Sequence, residues 1–355
     1  MPELELLLRK IEEKGASDLH LKADHAPVYR VHGQLIRQRN GPPPTEAEIE
    51  SLLRQLTNDQ QREAFAVELE LDFAYEAEDG HRFRVNVARE RDSVYITLRA
   101  LQRRVPSIQE LGLPSICAEL TRVPQGLVLV TGPTGCGKST TLAAMIGHVN
   151  RTAARRIVTI EDPIEYVFED ERSAITQRQV GRDTRSFATA LKYALRQDPD
   201  VIMVGEMRDL ETISATLTAA ETGHLVLTTL HTPSAPEAID RIVDVFPSDQ
   251  QAQIRTQLAM TLAGVIAQRL VLRADGMGRL PACEVMVGTS AVRNLIRESK
   301  THQMVNAVQT GREHGMQTLD QALVNRYRAQ QITLEEALNH VSDREHFKRL
   351  LRSKA

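Results

Sequence analysis

Gly132-Pro133-Thr134-Gly135-Cys136-Gly137-Lys138-Ser139 combines residue types and a spacing that can hold a phosphate chain. Gly132, Gly135 and Gly137 let the backbone turn tightly and aim N–H groups at anionic oxygens. Lys138 offers a point charge to β- and γ-phosphates, and Ser139 a hydroxyl to Mg²⁺. The apolar run 127–130 precedes the loop, and Thr140 opens a helix-compatible stretch that reaches residue 146. Strand, glycine loop and helix in that order place a positive helix N-terminus behind the phosphates. The stretch predicts a nucleotide-binding loop with Pro133, Thr134, Cys136 and Thr140 on its contour.

Acidic residues further along could complete such a site. Residues 157–160 read as a second apolar strand and run into Glu161-Asp162-Pro163-Ile164-Glu165. Ligands of open parallel sheets bind beyond the carboxyl ends of the strands. Glu161, Asp162 and Glu165 are therefore candidates to coordinate Mg²⁺ or to polarise the attacking water, and the residues alone leave the choice open. Val201-Ile202-Met203-Val204-Gly205-Glu206 has the form of a Walker B element, with Glu206 acting on Mg²⁺ directly or through a water. His224 and His231 flank the run 225–229. An imidazole beside a γ-phosphate can register its presence. His20, His25 and His32 read as surface residues.

These residues need elements to carry them. From Gly126 onward apolar strands at 127–130, 157–160, 201–204 and 225–229 alternate with helices near 137–150, 186–196, 209–221 and 235–245. That alternation predicts an α/β domain with a parallel sheet core. Beyond Gln250 the chain reads as mainly helical, broken by an apolar stretch at 280–287. Residues 1–102 read as a small α+β domain: a helix at 3–14, strands at 18–22 and 28–37, a helix opened by the Thr45/Glu48 capping box, and strands between 69 and 98. Residues 103–110 are expected to link it to a second domain at 111–355. Ser290 reads as the N-cap of an amphipathic helix at 291–298. That helix should bury Val292, Leu295 and Ile296 against the C-terminal helices and expose Arg293, Asn294, Arg297 and Glu298.

Composition narrows the classes. The chain has 355 residues, 26% charged and 41% hydrophobic, with a net charge of −3. Two domains and an ordinary buried core follow. The pI near 6.4 argues against a large, permanent nucleic-acid surface. Cys117, Cys136 and Cys283 lie far apart with no metal spacing, the pattern of a reduced, cytosolic protein. Cys136, inside the loop, is expected to confer sensitivity to thiol reagents. The N-terminal residues lack the features of a signal peptide, and no apolar run approaches a membrane span. Any membrane association is expected to come through a partner.

Taken together, residues 132–139, 159–165, 201–209 and 222–231 resemble the Walker A, Asp box, Walker B and His box of secretion-type ATPases. Residues 82–87, 218–225 and 291–298 narrow the resemblance to the type IV pilus retraction (twitching motility) ATPases, the PilT family. Two departures are conservative: Cys136 stands where the family usually has Ser, and Val292 where it usually has Ile. The resemblance implies a PAS-like N-terminal domain before a RecA-like P-loop ATPase domain. It also implies a homohexamer with ATP and Mg²⁺ between each N-terminal domain and the neighbouring core. Glu165 becomes the general base, and Ser139 and Glu206 the metal-binding pair. His224 contacts nucleotide, and Lys138 and His231 both contact it and take part in catalysis. Arg84 and Arg99, chosen among the arginines at 82–99, become charge stabilisers acting across the subunit boundary. The ring would sit at the cytoplasmic face of the inner membrane, drive the pilus platform protein and act on the pilin fibre indirectly. Residues 291–298 would be the retraction motif.

Three rival readings exist. Pilus assembly and type II secretion ATPases usually carry a larger N-terminal region and often a four-cysteine zinc site. A RecA-like nucleic-acid translocase would favour an aromatic and basic stripe. The set Lys138, Glu165 and Glu206 argues against a nucleotide-binding scaffold without turnover.

Overall fold

Leu4, Leu7, Leu8 and Ile11 recur at helical spacing, and all four are buried on one face of α1 (Leu4–Glu13). The structure, a computed structural model, describes residues 4–31, 33–38, 41–101 and 104–352. His32 lies outside the described residues. The chain divides into two compact units, Met1–Arg104 and Val105–Ala355.

In the first unit α1 is followed by β1 (Ala16–Lys22), β2 (His25–Val31), β3 (Gln34–Arg37), α2 (Glu46–Leu56) and α3 (Asp59–Glu68). The strands β4 (Glu70–Glu76), β5 (Arg82–Glu90) and β6 (Ser93–Ala100) complete it. The expected capping box opens α2: Thr45 accepts from the Glu48 N–H, and Glu48 reaches back to the Thr45 N–H. A second box, Asn58 with Gln61, opens α3. That helix has only Phe65 buried, so it carries little of the apolar periodicity that marks a helix in sequence. The sheet runs β3-β2-β1-β6-β5-β4, with antiparallel pairing throughout. Alternate residues Phe83, Val85 and Val87 of β5 and Val94, Ile96 and Leu98 of β6 point into the core beneath α1 and α2.

The second unit contains α4 (Ile116–Leu120), β7 (Gly126–Thr131), α5 (Lys138–Thr152), β8 (Arg156–Glu161), β9 (Ala174–Gln179), α6 (Phe187–Ala194) and β10 (Val201–Val204). It continues with α7 (Leu210–Glu221), β11 (Leu225–Leu230), α8 (Ala235–Asp244), α9 (Gln251–Thr261), β12 (Leu262–Leu272) and β13 (Arg279–Val287). The last elements are α10 (Ser290–Arg297), α11 (Met304–Thr310), α12 (Leu319–Arg328), α13 (Leu334–His340) and α14 (Arg344–Arg352). The sheet order is β13-β12-β7-β11-β10-β8-β9. Pairing is parallel from β9 to β12, and β13 closes the edge antiparallel to β12. Both faces are covered: Leu127 and Leu129 of β7 pack with α7, α8 and α9, while Val128 and Val130 pack with α4 and α5.

The structure corrects several expectations. Residues 262–272 form a long strand, not helix. β12 lies between β7 and β13 and is buried along most of its length, so it lacks the period-2 alternation of a half-exposed strand. β9 was not expected either; as an edge strand made largely of polar residues it has no apolar run. Ile108, within the expected linker 103–110, is buried in the core of the second unit. Thr289, not Ser290, caps α10 by accepting from the Val292 N–H. Val292 and Ile296 are buried and Leu295 is half-buried, in a cluster shared with α9 and α11 and separate from that of α12 to α14. Among the described residues no helix is long and apolar enough to cross a membrane.

Candidate nucleotide-binding site

The loop at 132–137 leaves the carboxyl end of β7 and feeds α5, whose first residue is Lys138. Gly132 must be glycine on two counts. Its φ is +144°, and a Cβ there would stand 2.3 Å from the Gln268 carbonyl oxygen of β12. Gly137, at φ +88°, makes the left-handed turn into the helix. Pro133, Thr134, Gly135 and Ser139 are exposed at the mouth. Thr140 is half-buried, its hydroxyl 3.0 Å from the Tyr166 hydroxyl. Cys136 is buried, and burial pushes its thiol up despite the nearby Lys138. This corrects the expected sensitivity to thiol reagents, because the reactive species is an accessible thiolate.

Lys138 is buried, and its amine donates to the carbonyls of Gly132 at 2.8 Å and Pro133 at 3.1 Å. Burial pulls its pKa down, with Cys136, Glu206 and Glu165 pulling the other way. Parallel register brings the neighbouring strand ends alongside: Val204 of β10 faces Thr228 of β11 and Ile160 of β8, and Leu230 of β11 faces Thr131 of β7. Glu206 follows β10 after Gly205, and His231 follows β11 directly. His231 stands between two charges, with Nδ1 3.4 Å from the Lys138 amine and Nε2 3.6 Å from Glu206. The other Glu206 oxygen pairs with Arg208 Nε at 2.7 Å.

The structure separates the three carboxylates after β8. Glu161 is buried, accepting from Thr159 Oγ1 at 2.7 Å and Gln177 Nε2 at 3.1 Å. Burial pushes its carboxyl up to about 7. Asp162 is exposed. Glu165 is half-buried, and its charge acts on Lys138.

His224 is not brought to the loop within this chain. It precedes β11, at the amino end of a strand whose carboxyl end meets the site, about 20 Å away for a strand of that length. Its Nδ1 lies 3.0 Å from the Ala219 carbonyl oxygen, a local role at the end of α7. Arg84 pairs with Asp72 through Nη2 at 2.5 Å and Nε at 3.1 Å, and Arg99 donates from Nε to Asp18 at 2.8 Å. Burial tends to raise the Asp18 carboxyl, but hydrogen bonds from Arg99 and Ser17 carry it below its ordinary value. Both arginines are thus oriented by carboxylates of their own unit.

Sequence reasoning missed Gln268 and Arg269 on β12 and Arg279 on β13. Gln268 bonds the loop and α5 directly. Arg269 and Arg279 line a cleft of about 380 Å³ together with Gly135, Cys136 and His231. The available signal was Gln268-Arg269, a polar pair inside the otherwise apolar run 262–272.

A family profile described as type II/IV secretion system protein matches residues 2–351. The chain belongs to the type II/IV secretion system protein family. Within that family it is 50% identical over 317 residues to the type IV pilus retraction ATPase PilT of Pseudomonas aeruginosa, covering 89% of this chain and 92% of the relative. It is 47% identical over 319 residues to a twitching motility protein of Neisseria gonorrhoeae, covering 90% and 85%. A crystal structure of the pilus retraction motor PilT with bound ADP superposes with a TM-score of 0.90 at 44% identity, over 98% of this chain and 99% of that one. The chain is an ATPase, with the α/β fold that its loop and strand pattern predict.

Proposed function

We propose that this ATPase powers type IV pilus retraction as a homohexameric ring at the cytoplasmic face of the inner membrane, acting on the pilus platform protein. The observation that carries the chemistry is the meeting of Lys138, His231 and Glu206 at the ends of β7, β10 and β11. Similarity along nearly the whole chain to a pilus retraction ATPase supports the choice of cargo.

In this reading the triphosphate of ATP lies in the loop, against the backbone N–H groups at the start of α5. Lys138, now on the carbonyls of Gly132 and Pro133, turns to the β- and γ-phosphate oxygens, a stronger charge-assisted partner. The Ser139 hydroxyl and Glu206 carboxylate are hard oxygen donors of the kind Mg²⁺ takes alongside phosphate oxygens and waters. Held there, Mg²⁺ would neutralise charge at the β- and γ-oxygens. Glu165 accepts the proton of the attacking water, since Glu161 is sealed by burial and Asp162 is exposed. His231 ties the state of the phosphate site to Glu206. Arg84 or Arg99 of a neighbouring subunit stabilises charge developing on the γ-phosphate.

The test is complementation of a retraction-deficient, piliated strain, run beside ATP turnover and native mass of the purified chain. Wild type should restore twitching and turn over ATP as a hexamer indifferent to single-stranded DNA; Lys138→Ala should do neither. Twitching restored by Lys138→Ala would end the reading. DNA-stimulated turnover would favour a translocase.

A further inference from the structure

Gln268 is a buried polar residue in the middle of β12, far along the chain from the phosphate loop yet bonded to the loop and to the helix that follows it. Its Nε2 donates to the Cys136 carbonyl at 2.5 Å, and its Oε1 accepts from Thr141 Oγ1 of α5 at 2.7 Å. The chemistry fixes which way round the amide sits, because a carbonyl can only accept and needs the NH₂ end. The loop is seated on the same residue: a Cβ at Gly137 would stand 3.1 Å from Gln268 Nε2, and one at Gly132 would collide with the Gln268 backbone oxygen.

The consequence comes from peptide geometry. In a planar trans peptide the C=O of one residue and the N–H of the next point in opposite directions. Holding the Cys136 carbonyl toward β12 therefore turns the Gly137 N–H away from it, to the opposite face of the loop. Glycine at 137 leaves this peptide free to rotate, since φ there has no Cβ to restrict it. A flip would aim a carbonyl oxygen where an N–H donor stood, and an oxygen dipole repels phosphate. We propose that Gln268 is a positioning residue of the phosphate loop, locking the 136–137 peptide with its N–H turned toward the bound phosphates. This rests on the reading of residues 132–139 as the nucleotide loop. It assigns Gln268 to ground-state nucleotide binding, because ADP and ATP meet the same donor.

Direct binding of a fluorescent ADP analogue to the full-length protein tests this, with turnover measured in parallel. Gln268→Met keeps the volume and loses both bonds. Gln268→Glu keeps an acceptor for Thr141 and, once ionised, has no donor for Cys136, so it is assayed at alkaline pH. Both should weaken ADP binding about tenfold to a hundredfold, the cost of freeing one buried hydrogen-bonded group. KM for ATP should rise in step, and kcat should change by only a few-fold. Thr141→Val, which removes only the second bond, should lose less affinity than either. Melting temperatures separate folding from binding. If Gln268→Met and Gln268→Glu melt lower but bind ADP with wild-type affinity, Gln268 is core filling and the proposal fails. Equal losses for Thr141→Val and Gln268→Glu would overturn the role of the peptide lock. Lys138→Ala is the control for the underlying reading: wild-type ADP affinity in that variant would overturn the loop assignment itself, whatever Gln268 does.

Discussion

Replacing Glu161 by Gln should make the protein more stable at alkaline pH and leave catalysis in place. The carboxyl of Glu161 is buried, and burial raises its pKa from the ordinary 4.5 to about 7. The folded chain thus keeps a proton that the unfolded chain releases. The stabilisation from this group is fully present below about pH 4.5 and is lost as pH rises through about 7. A gap of about 2.5 units at 1.36 kcal/mol each is about 3 kcal/mol. Glu161→Gln has no proton to lose, and its amide oxygen can still accept from Thr159 and Gln177. Denaturant titrations of nucleotide-free wild type and variant at pH 5 and pH 8 read the difference. The variant should gain about 2 to 3 kcal/mol relative to wild type between those two values, a little less than the full gap because the loss has begun by pH 5. A melting comparison should move by about 2–4 °C per kcal/mol in a domain of this size. Parallel profiles would refute the reasoning, because they would mean that folding leaves the Glu161 carboxyl at its ordinary pKa.

The other predictions concern the chemistry and its coupling. Glu165→Gln keeps hydrogen-bonding capacity but cannot take a proton, so ATP should still bind while hydrolysis falls by roughly 10²–10⁴; an inactive Glu161→Gln beside an active Glu165→Gln would reverse the assignment. In α10 the structure separates two arginines that look alike in sequence. Arg293 Nε donates to the Gly288 carbonyl at 2.8 Å and its Nη2 to the Leu262 carbonyl at 3.3 Å, tying the helix to the ends of β12 and β13, whereas Arg297 is exposed. Arg297→Ala should therefore leave turnover within a few-fold of normal and abolish retraction in cells, while Arg293→Ala should also cost about 1–3 kcal/mol of stability by denaturation. Normal twitching with Arg297→Ala would return that side chain to a solvated surface. Arg84→Ala and Lys138→Ala subunits, each inactive alone, should recover some ATPase activity in mixed rings; no recovery under confirmed mixing would give Arg84 a structural role through Asp72.

What the sequence settles by itself is what local physics dictates. The phosphate loop is legible because Gly132, Gly137 and Lys138 act through backbone geometry and charge within one turn of chain. The strands β7, β8, β10 and β11 are legible because each is a short apolar run bounded by turns or helices. Thr45 with Glu48 announces α2 for the same reason, since both bonds of the capping box lie within four residues. Tertiary structure decided the rest. β12 reads as helical until β7 and β13 flank it, because a strand buried along most of its length loses the alternation that identifies it. Glu161 and Glu165 are equivalent on paper, and only burial against Thr159 and Gln177 separates a sealed carboxyl from the half-buried candidate base. His224 and His231 flank the same strand, and strand direction alone sends one to the phosphate loop and the other to the far end. Gln268 acquires its partners across 127 and 132 positions of chain, contacts that no local pattern encodes. Such residues draw their chemistry from where the fold places them.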